Sequence, residues 1–490
     1  MNIVRLGPEA LATLPADVLR PTYDRRGVTA GIVHLGAGAF HRAHQAVFID
    51  DCIAAGDAGW GIVAASLRSP DTGDALKPQR GLYTVAERDG ANEMLRVVGS
   101  VLDVLTASQA PDALLARMVD PRTRLVTLTI TEKAYLRDAN GDLDTAHPDI
   151  LSDVATPGRP RTAHGFLVEA LARRWKSGIA PFTVLSCDNL PANGRVLHRL
   201  LIEFARLRSV DLADYIEKDV ACPSCMVDRI VPATTDADRA RISARLGVAD
   251  AWPLVTELFR QWVIEDHFPL GRPDWERFGV TMVDDVAPYE TMKLRLLNGA
   301  HSAIAYLGLL CGKATVADAF ADPSIQGFIQ GLWTDLVPTL ESADALGPED
   351  YTRKLAARFA NTALKHRTAQ IANDGSQKLP QRIVAATLQR LAAGKVCGRL
   401  ALVLAAWVEA LGSSDVEGFT DPLDGRFRRE SLSEMPPQAA VELVFDAAGI
   451  ARGAAEKGHL IDMVACTLQQ LRAEGVYALL LRLNNEDQGK

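Results

Sequence analysis

The chain has 490 residues, 53 Lys and Arg against 61 Asp and Glu for a formal net charge of −8, and 48% hydrophobic residues. This composition excludes a predominantly disordered chain, and an acidic balance without a basic tract argues against nucleic acid or an anionic membrane surface as partner. No uncharged run reaches the ~18 apolar residues of a membrane span, and the first residues lack a basic start followed by an apolar stretch. Seven cysteines in so long a chain suit a reducing compartment rather than a disulfide scaffold. The expectation is a cytoplasmic protein with a small-molecule ligand; the sequence assigns no oligomeric state.

In chain order, GIVHLGAGAF (31–40) is a short apolar strand that breaks into closely spaced glycines. HRAHQAVFIDDCIAAG (41–56) follows, with apolar positions at helical spacing. GWGIVAASL (59–67), LVTLTI (125–130) and FTVLSC (182–187) read as further buried strands, separated by helical segments such as GFLVEALARRWKSG (165–178). That alternation predicts an α/β fold: a Rossmann-type domain with a largely parallel sheet over residues 1–285. Beyond it the texture changes. KLRLLNGAHSAIAYLGLL, YTRKLAARFANTAL and RLALVLAAWVEALG all carry a helical period, so residues 286–490 are expected to form a mostly α-helical domain, opened by Pro288 ahead of its first long helix. The polar end LNNEDQGK is expected to fray.

Gly36-Ala37-Gly38-Ala39 sits directly after the first strand and opens a helix, where a dinucleotide-binding turn belongs. Glycine there lets the backbone approach a pyrophosphate, whose charge a helix N-terminus favours. The third glycine of G-x-G-x-x-G is missing and His41 stands in its place. At the end of the second strand, Asp71 suits the ribose hydroxyls of NAD, whereas Arg68 suits the extra phosphate of NADP; both can equally be solvated turn residues. Cys222 and Cys225 form a lone C-x-x-C without the second ligand pair a zinc site needs. His41 and His44 could share one helical face, but two histidines do not make a metal site, and none is expected.

The segment Lys293-Leu294-Arg295-Leu296-Leu297-Asn298-Gly299-Ala300-His301 is the most informative. On an α-helix Asn298 and His301 lie about 140° and about 80° round from Lys293, within one polar stripe. A lysine buried beside a hydroxyl can act as general base, an asparagine can donate to a developing alkoxide, and a histidine can orient a substrate. From spacing alone the plainer reading leads: a solvated Lys293, an Asn298 that caps a break at Gly299, and a core His301. Cys187-Asp188-Asn189, at the C-terminal end of the strand FTVLS, weakens it, because doubly wound sheets bind ligands at that edge.

Taken together, HLGAGAFHRAHQA, SCDN-x-x-x-NG, MVDRI-x-PAT, FRQWVIED and KLRLLNGAHS resemble the mannitol dehydrogenase family of polyol-specific long-chain dehydrogenases, over about residues 22 to 480. The resemblance implies a metal-independent secondary-alcohol dehydrogenase that usually uses NAD, with NADP not excluded. It places Gly36, Ala37, Gly38, Ala39 and Phe40 in the cofactor turn, with Lys293 as general base, Asn189 and Asn298 holding the alkoxide, and His301 positioning the substrate. Asp228 of MVDRI matches a substrate position, although an Asp-Arg pair also reads as a structural ion pair. Members oxidise mannitol, arabinitol or D-mannonate, so the implied partner is a polyol or a sugar acid. GAF, LYTVAERDG (82–90) and IANDGSQKLPQR (371–382) look nearer the branch that acts on mannonate. Its carboxylate wants a cation, which Lys378 or Arg382 can provide unless both are surface charges. The remaining alternatives are a mannitol 2-dehydrogenase, an arabinitol dehydrogenase, or a dinucleotide-binding sensor that lost catalysis.

Overall fold

The computed structural model describes residues 4–341, 343–363, 365–413, 418–426 and 429–488. The chain divides into two compact units, Met1–Ala287 and Pro288–Lys490. Among the described residues no helix is long and apolar enough to cross a membrane.

The strands of the first unit are β1 (Ala30–Leu35), β2 (Gly61–Ser66), β3 (Tyr83–Asp89), β4 (Asn92–Val98), β5 (Val101–Thr106) and β6 (Leu125–Leu128). They are followed by β7 (Thr183–Ser186), β8 (Cys225–Asp228), β9 (Leu254–Glu257), β10 (Gln261–Glu265) and β11 (Thr281–Val283). A five-stranded, wholly parallel sheet runs in the order β5-β2-β1-β6-β7. Its strands are short apolar runs because both faces are covered. Val33 and Leu35 of β1 join the core built with Leu167 and Leu171 of the helix Ala163–Lys176, while Ile32 joins that of Phe48 and Ile49 in the helix Gln45–Ala54. From β1 the chain runs outward to β2 and β5; β6 and β7 lie on the other side. The gap between β1 and β6 is therefore the topological switch point, where such sheets bind ligands beyond the carboxyl ends of their strands.

Two features differ from the sequence reading. Two smaller mixed sheets, β4-β3-β9 and β11-β10-β8, accompany the parallel one. The helix after β1 is not continuous: Ala39–Ala43 ends at His44 (φ −117°, ψ −85°), and Gln45–Ala54 begins a new one. Long-range bonds hold that break. Arg42 Nη1 donates to Trp252 O at 2.6 Å, and His44 Nε2 lies 2.8 Å from Gln261 O.

The second unit is helical among its described residues. Gly398–Gly412, apolar apart from the ion-paired Arg399 and Glu409, is buried along nearly its whole length, as a helix of that composition requires. It packs against Ala300–Leu310 and Lys457–Glu474. The end that was expected to fray is helical through Gln488, the last described residue, in Val476–Gln488. Asn484 Nδ2 anchors it by donating to Ser324 O at 2.9 Å.

Candidate active site

At the switch point β1 is followed by Gly36, whose φ of +97° favours glycine. A Cβ there would stand 2.0 Å from Thr129 O, whereas one on Gly38 would meet only Gly36 O at 3.8 Å. The first glycine permits the close strand-to-strand approach, and the second leaves open a cradle that a side chain would fill. His34, on β1, lies beneath this turn. Its Nε2 is 3.1 Å from Gly36 O and 2.9 Å from Thr129 Oγ1, its Nδ1 is 2.7 Å from Thr127 Oγ1, and Thr129 Oγ1 donates to Gly36 O at 2.8 Å. Burial pushes His34 down to about 3, so the ring is neutral and fixes the turn by hydrogen bonds rather than by charge.

The turn opens onto a cavity of about 450 Å³ whose lining includes Gly36, Ala37, Gly38, Arg68, Thr129 and Thr131. A backbone-lined cradle at the switch point fits a dinucleotide pyrophosphate. Arg68 is exposed and pairs with Asp149 at 3.3 Å. Asp71 is the exposed first residue of the helix Asp71–Leu76, and the residue of that helix lining the cavity is Thr72. Ala39 and Phe40 open the short helix, and the Phe40 ring stacks on His44 at 5.0 Å.

His41 and His44 do not share a helical face. The backbone breaks between them, and His41 instead stacks on His34, with centroids 3.4 Å apart and planes 6° from parallel. Cys222 and Cys225 are free thiols. Among the described residues no group of three or more His, Cys, Asp or Glu is arranged to hold a metal ion.

Beyond β7 the chain turns through Cys187, Asp188 and the exposed Asn189. Asn193 sets that turn: its Nδ2 donates to Asp188 O at 3.0 Å and Cys225 O at 2.8 Å, and its Oδ1 accepts from Cys225 N at 2.9 Å. Asp228 ends β8 opposite Gln261 and is buried. Its neighbour Arg229 is wholly buried and takes Glu87 as its carboxylate partner, with Ala43 O and Glu257 O as further acceptors. Asp188 and Asn193 stand inside the motifs singled out in the sequence but carry no role there, because most of their partners lie far along the chain.

Across the start of the second unit at Pro288, Ala287–Met292 is α-helical, Lys293–Gly299 is π-helical, and Ala300–Leu310 is α-helical again. The α-helical angles assumed from the sequence therefore do not hold within this segment, because a π turn carries an extra residue. Nor does the helix break at Gly299, which keeps helical angles. Lys293 and Asn298 are both buried, at 8% and 9% exposure. Arg295 departs from the stripe, donating to Thr339 O and, at 3.0 Å, to Gln389 Oε1.

A second π-helical segment, Pro380–Val384, packs against the first. Its Pro380 lacks the N–H an α-helix would use. A Cβ on Gly299 would lie 3.1 Å from Arg382 O, and Arg382 Nη1 donates to Ser302 Oγ at 3.2 Å. The His301 ring lies 4.7 Å from Phe359 and 5.7 Å from His366, and its Nε2 is buried without a hydrogen-bond partner. Burial, reinforced by His366, Arg358 and Arg382, holds His301 well below its usual range. Lys378 is tied down: its Nζ donates to Asn373 O at 2.7 Å and pairs with Asp374 at 3.5 Å, while burial and Arg382 lower its pKa.

A doubly wound parallel sheet with a glycine cradle at its switch point defines the first unit as a Rossmann-type domain. Residues 30–277 match the mannitol dehydrogenase Rossmann domain, and residues 285–472 match the mannitol dehydrogenase C-terminal domain. The chain belongs to the mannitol dehydrogenase family of oxidoreductases. It is 40% identical over 477 residues to a mannitol 2-dehydrogenase of Cereibacter sphaeroides, covering 95% of this chain and 98% of that one. It is 39% identical over 468 residues to the D-mannonate oxidoreductase of Escherichia coli, covering 94% and 96%. The solved Pseudomonas fluorescens mannitol 2-dehydrogenase, a ternary complex with NAD and D-mannitol, superimposes with a TM-score of 0.84 at 36% identity, covering 98% of this chain and 99% of that one.

Proposed function

We propose that the chain catalyses reversible hydride transfer at a secondary alcohol of an open-chain sugar acid, interconverting D-mannonate and D-fructuronate with NAD. The observation that carries the choice of a sugar acid is the charge around His301. The charged groups acting on it are the guanidiniums of Arg358 and Arg382, the His366 ring being held toward its neutral form by burial, and Arg382 stands on the segment packed against Lys293–Gly299. A neutral polyol has no use for such a field; a carboxylate does.

Gly36, Ala37 and Gly38 hold the pyrophosphate, and Arg68 and Thr72 line the approach to the ribose. NAD held in that cradle would supply the nicotinamide carbon to which the alcohol's hydride goes in oxidation and from which it comes in reduction. Lys293 takes the hydroxyl proton in oxidation and gives it back in reduction. Asn189 and Asn298 donate amide hydrogens to the oxyanion, His301 orients the substrate, and Asp228 binds a substrate hydroxyl. Arg382 holds the carboxylate as a bidentate donor, with Lys378 in support.

The second reading, mannitol 2-dehydrogenase, is favoured by the near-equal likeness to the Cereibacter enzyme and needs no change in the reacting residues. NADH oxidation measured side by side with D-fructuronate and D-fructose, each repeated with NADPH, separates them. The sugar-acid reading expects a strong preference for fructuronate and NADH; a preference for fructose moves the chain to the mannitol reading.

A further inference from the structure

Thr131 follows β6 and lines the dinucleotide cavity. Its φ of 72° and ψ of 152° lie where glycine is at home and a β-branched residue is strained. Such a conformation persists only if its surroundings impose it. The Asp188 carboxylate does so from the neighbouring strand end: Oδ1 accepts from Thr131 N at 2.9 Å, and Oδ2 accepts from Ile130 N at 3.1 Å and from Tyr135 Oη at 2.8 Å. Tyr135, fully buried at the end of the same loop, also meets Ser186 Oγ at 2.5 Å. One carboxylate thus clamps both ends of the Ile130–Tyr135 loop onto β7, and its own backbone leads directly into Asn189.

We infer that Asp188 is a positioning residue: it holds Thr131 in a strained conformation that shapes the wall of the dinucleotide cavity, and it couples that wall to the placement of Asn189. This rests on the dinucleotide reading of the cavity. Without the carboxylate, Thr131 relaxes toward negative φ, the wall shifts, and dinucleotide affinity falls. Glycine at 131 adopts the same angles without restraint, so it compensates for loss of the clamp, whereas alanine, which keeps a Cβ, does not.

The test is NADH binding by fluorescence titration of the full chain, with thermal unfolding in parallel. Asp188→Ala is expected to weaken NADH by about tenfold or more. Adding Thr131→Gly to it is expected to restore affinity to within about threefold, and adding Thr131→Ala is not. The cofactor KM should follow the same pattern, while kcat stays depressed in the Gly double variant because Asn189 remains loosened. Asp188→Asn, which keeps one acceptor for Thr131 N, is expected to fall between and supplies the readout if the alanine variant does not fold. NADH affinity within about twofold of the unaltered chain in Asp188→Ala or Asp188→Asn, or equal rescue by Gly and Ala at 131, would overturn the inference alone. Failure of the unaltered chain to bind either NADH or NADPH would overturn the dinucleotide reading and this inference with it.

Discussion

The indole Nε1 of Trp333 donates a 2.9 Å hydrogen bond to Leu296 O, a backbone carbonyl inside the π-helical segment that carries Lys293 and Asn298. A π segment disturbs the regular i→i−4 ladder, and a buried side-chain donor that takes one of its carbonyls makes the irregularity tenable. Trp333→Phe removes that donor together with part of a buried ring that stacks near Phe359. The expected cost is about 2–4 kcal/mol, the penalty of a buried acceptor left unmatched plus the lost packing, with a fall in kcat as the segment drifts toward regular α-helix. Denaturant midpoints and steady-state rates check both; unchanged values would remove Trp333 from the account.

Gly36→Ala tests the cofactor turn. The added Cβ would stand 2.0 Å from Thr129 O at a φ of +97°, so either β1 and β6 separate or the turn is rebuilt. NADH affinity is expected to fall by about a hundredfold, with a stability loss of about 1–3 kcal/mol. Gly38→Ala keeps the fold, because its Cβ meets only Gly36 O at 3.8 Å, and loses affinity alone. Thermal unfolding beside NADH titration separates the two variants.

Burial pushes His34 and His44 down to about 3 and His164 to about 4. Their folded pKa values lie below the unfolded ~6.5, so the unfolded chain binds more protons and stability rises with pH. These contributions are complete above ~6.5 and are lost as pH falls from there toward about 3 for His34 and His44 and about 4 for His164. At pH 5 each histidine costs about 2 kcal/mol relative to neutral pH. His164 has no hydrogen-bond partner on either ring nitrogen, so His164→Leu is expected to keep stability at pH 7 and to flatten the acid loss by about one histidine's share. Unfolding free energies at pH 5 and pH 7 measure it; an unchanged slope would contradict it.

Arg382→Ala is expected to reduce kcat/KM for D-fructuronate by about 10- to 100-fold, the worth of a charge-assisted hydrogen bond, and to affect D-fructose much less. Arg382→Lys should recover only part of the loss, because an ammonium cannot bond both carboxylate oxygens in one plane. Equal losses on both substrates would take the carboxylate away from Arg382.

The parallel sheet was legible because its chemistry is local. GIVHLGAG puts a buried strand directly against a turn that glycine alone accommodates, and β2, β6 and β7 are apolar runs of strand length. The β3–β4 hairpin was not read, although Asp89-Gly90 between two runs of strand character is a hairpin signal, with Gly90 at φ 56°; its charged residues masked the alternation. The break at His44 and the π turn at Lys293 left no local trace. Both are decided by partners elsewhere, Gln261 and Trp252 for the first and Trp333 for the second, and the apolar spacing of an α-helix fits either segment equally well. Asp188 stood beside the selected Asn189, but its role depends on the backbone angles of Thr131, which no residue type announces.

The general-base role of Lys293 is the centre of the account, and Lys293→Ala tests it most directly. Steady-state kcat for D-fructuronate reduction is expected to fall by about 10²- to 10⁴-fold, with the NADH dissociation constant within about twofold of the unaltered chain. Turnover that survives the substitution unchanged would contradict the assignment.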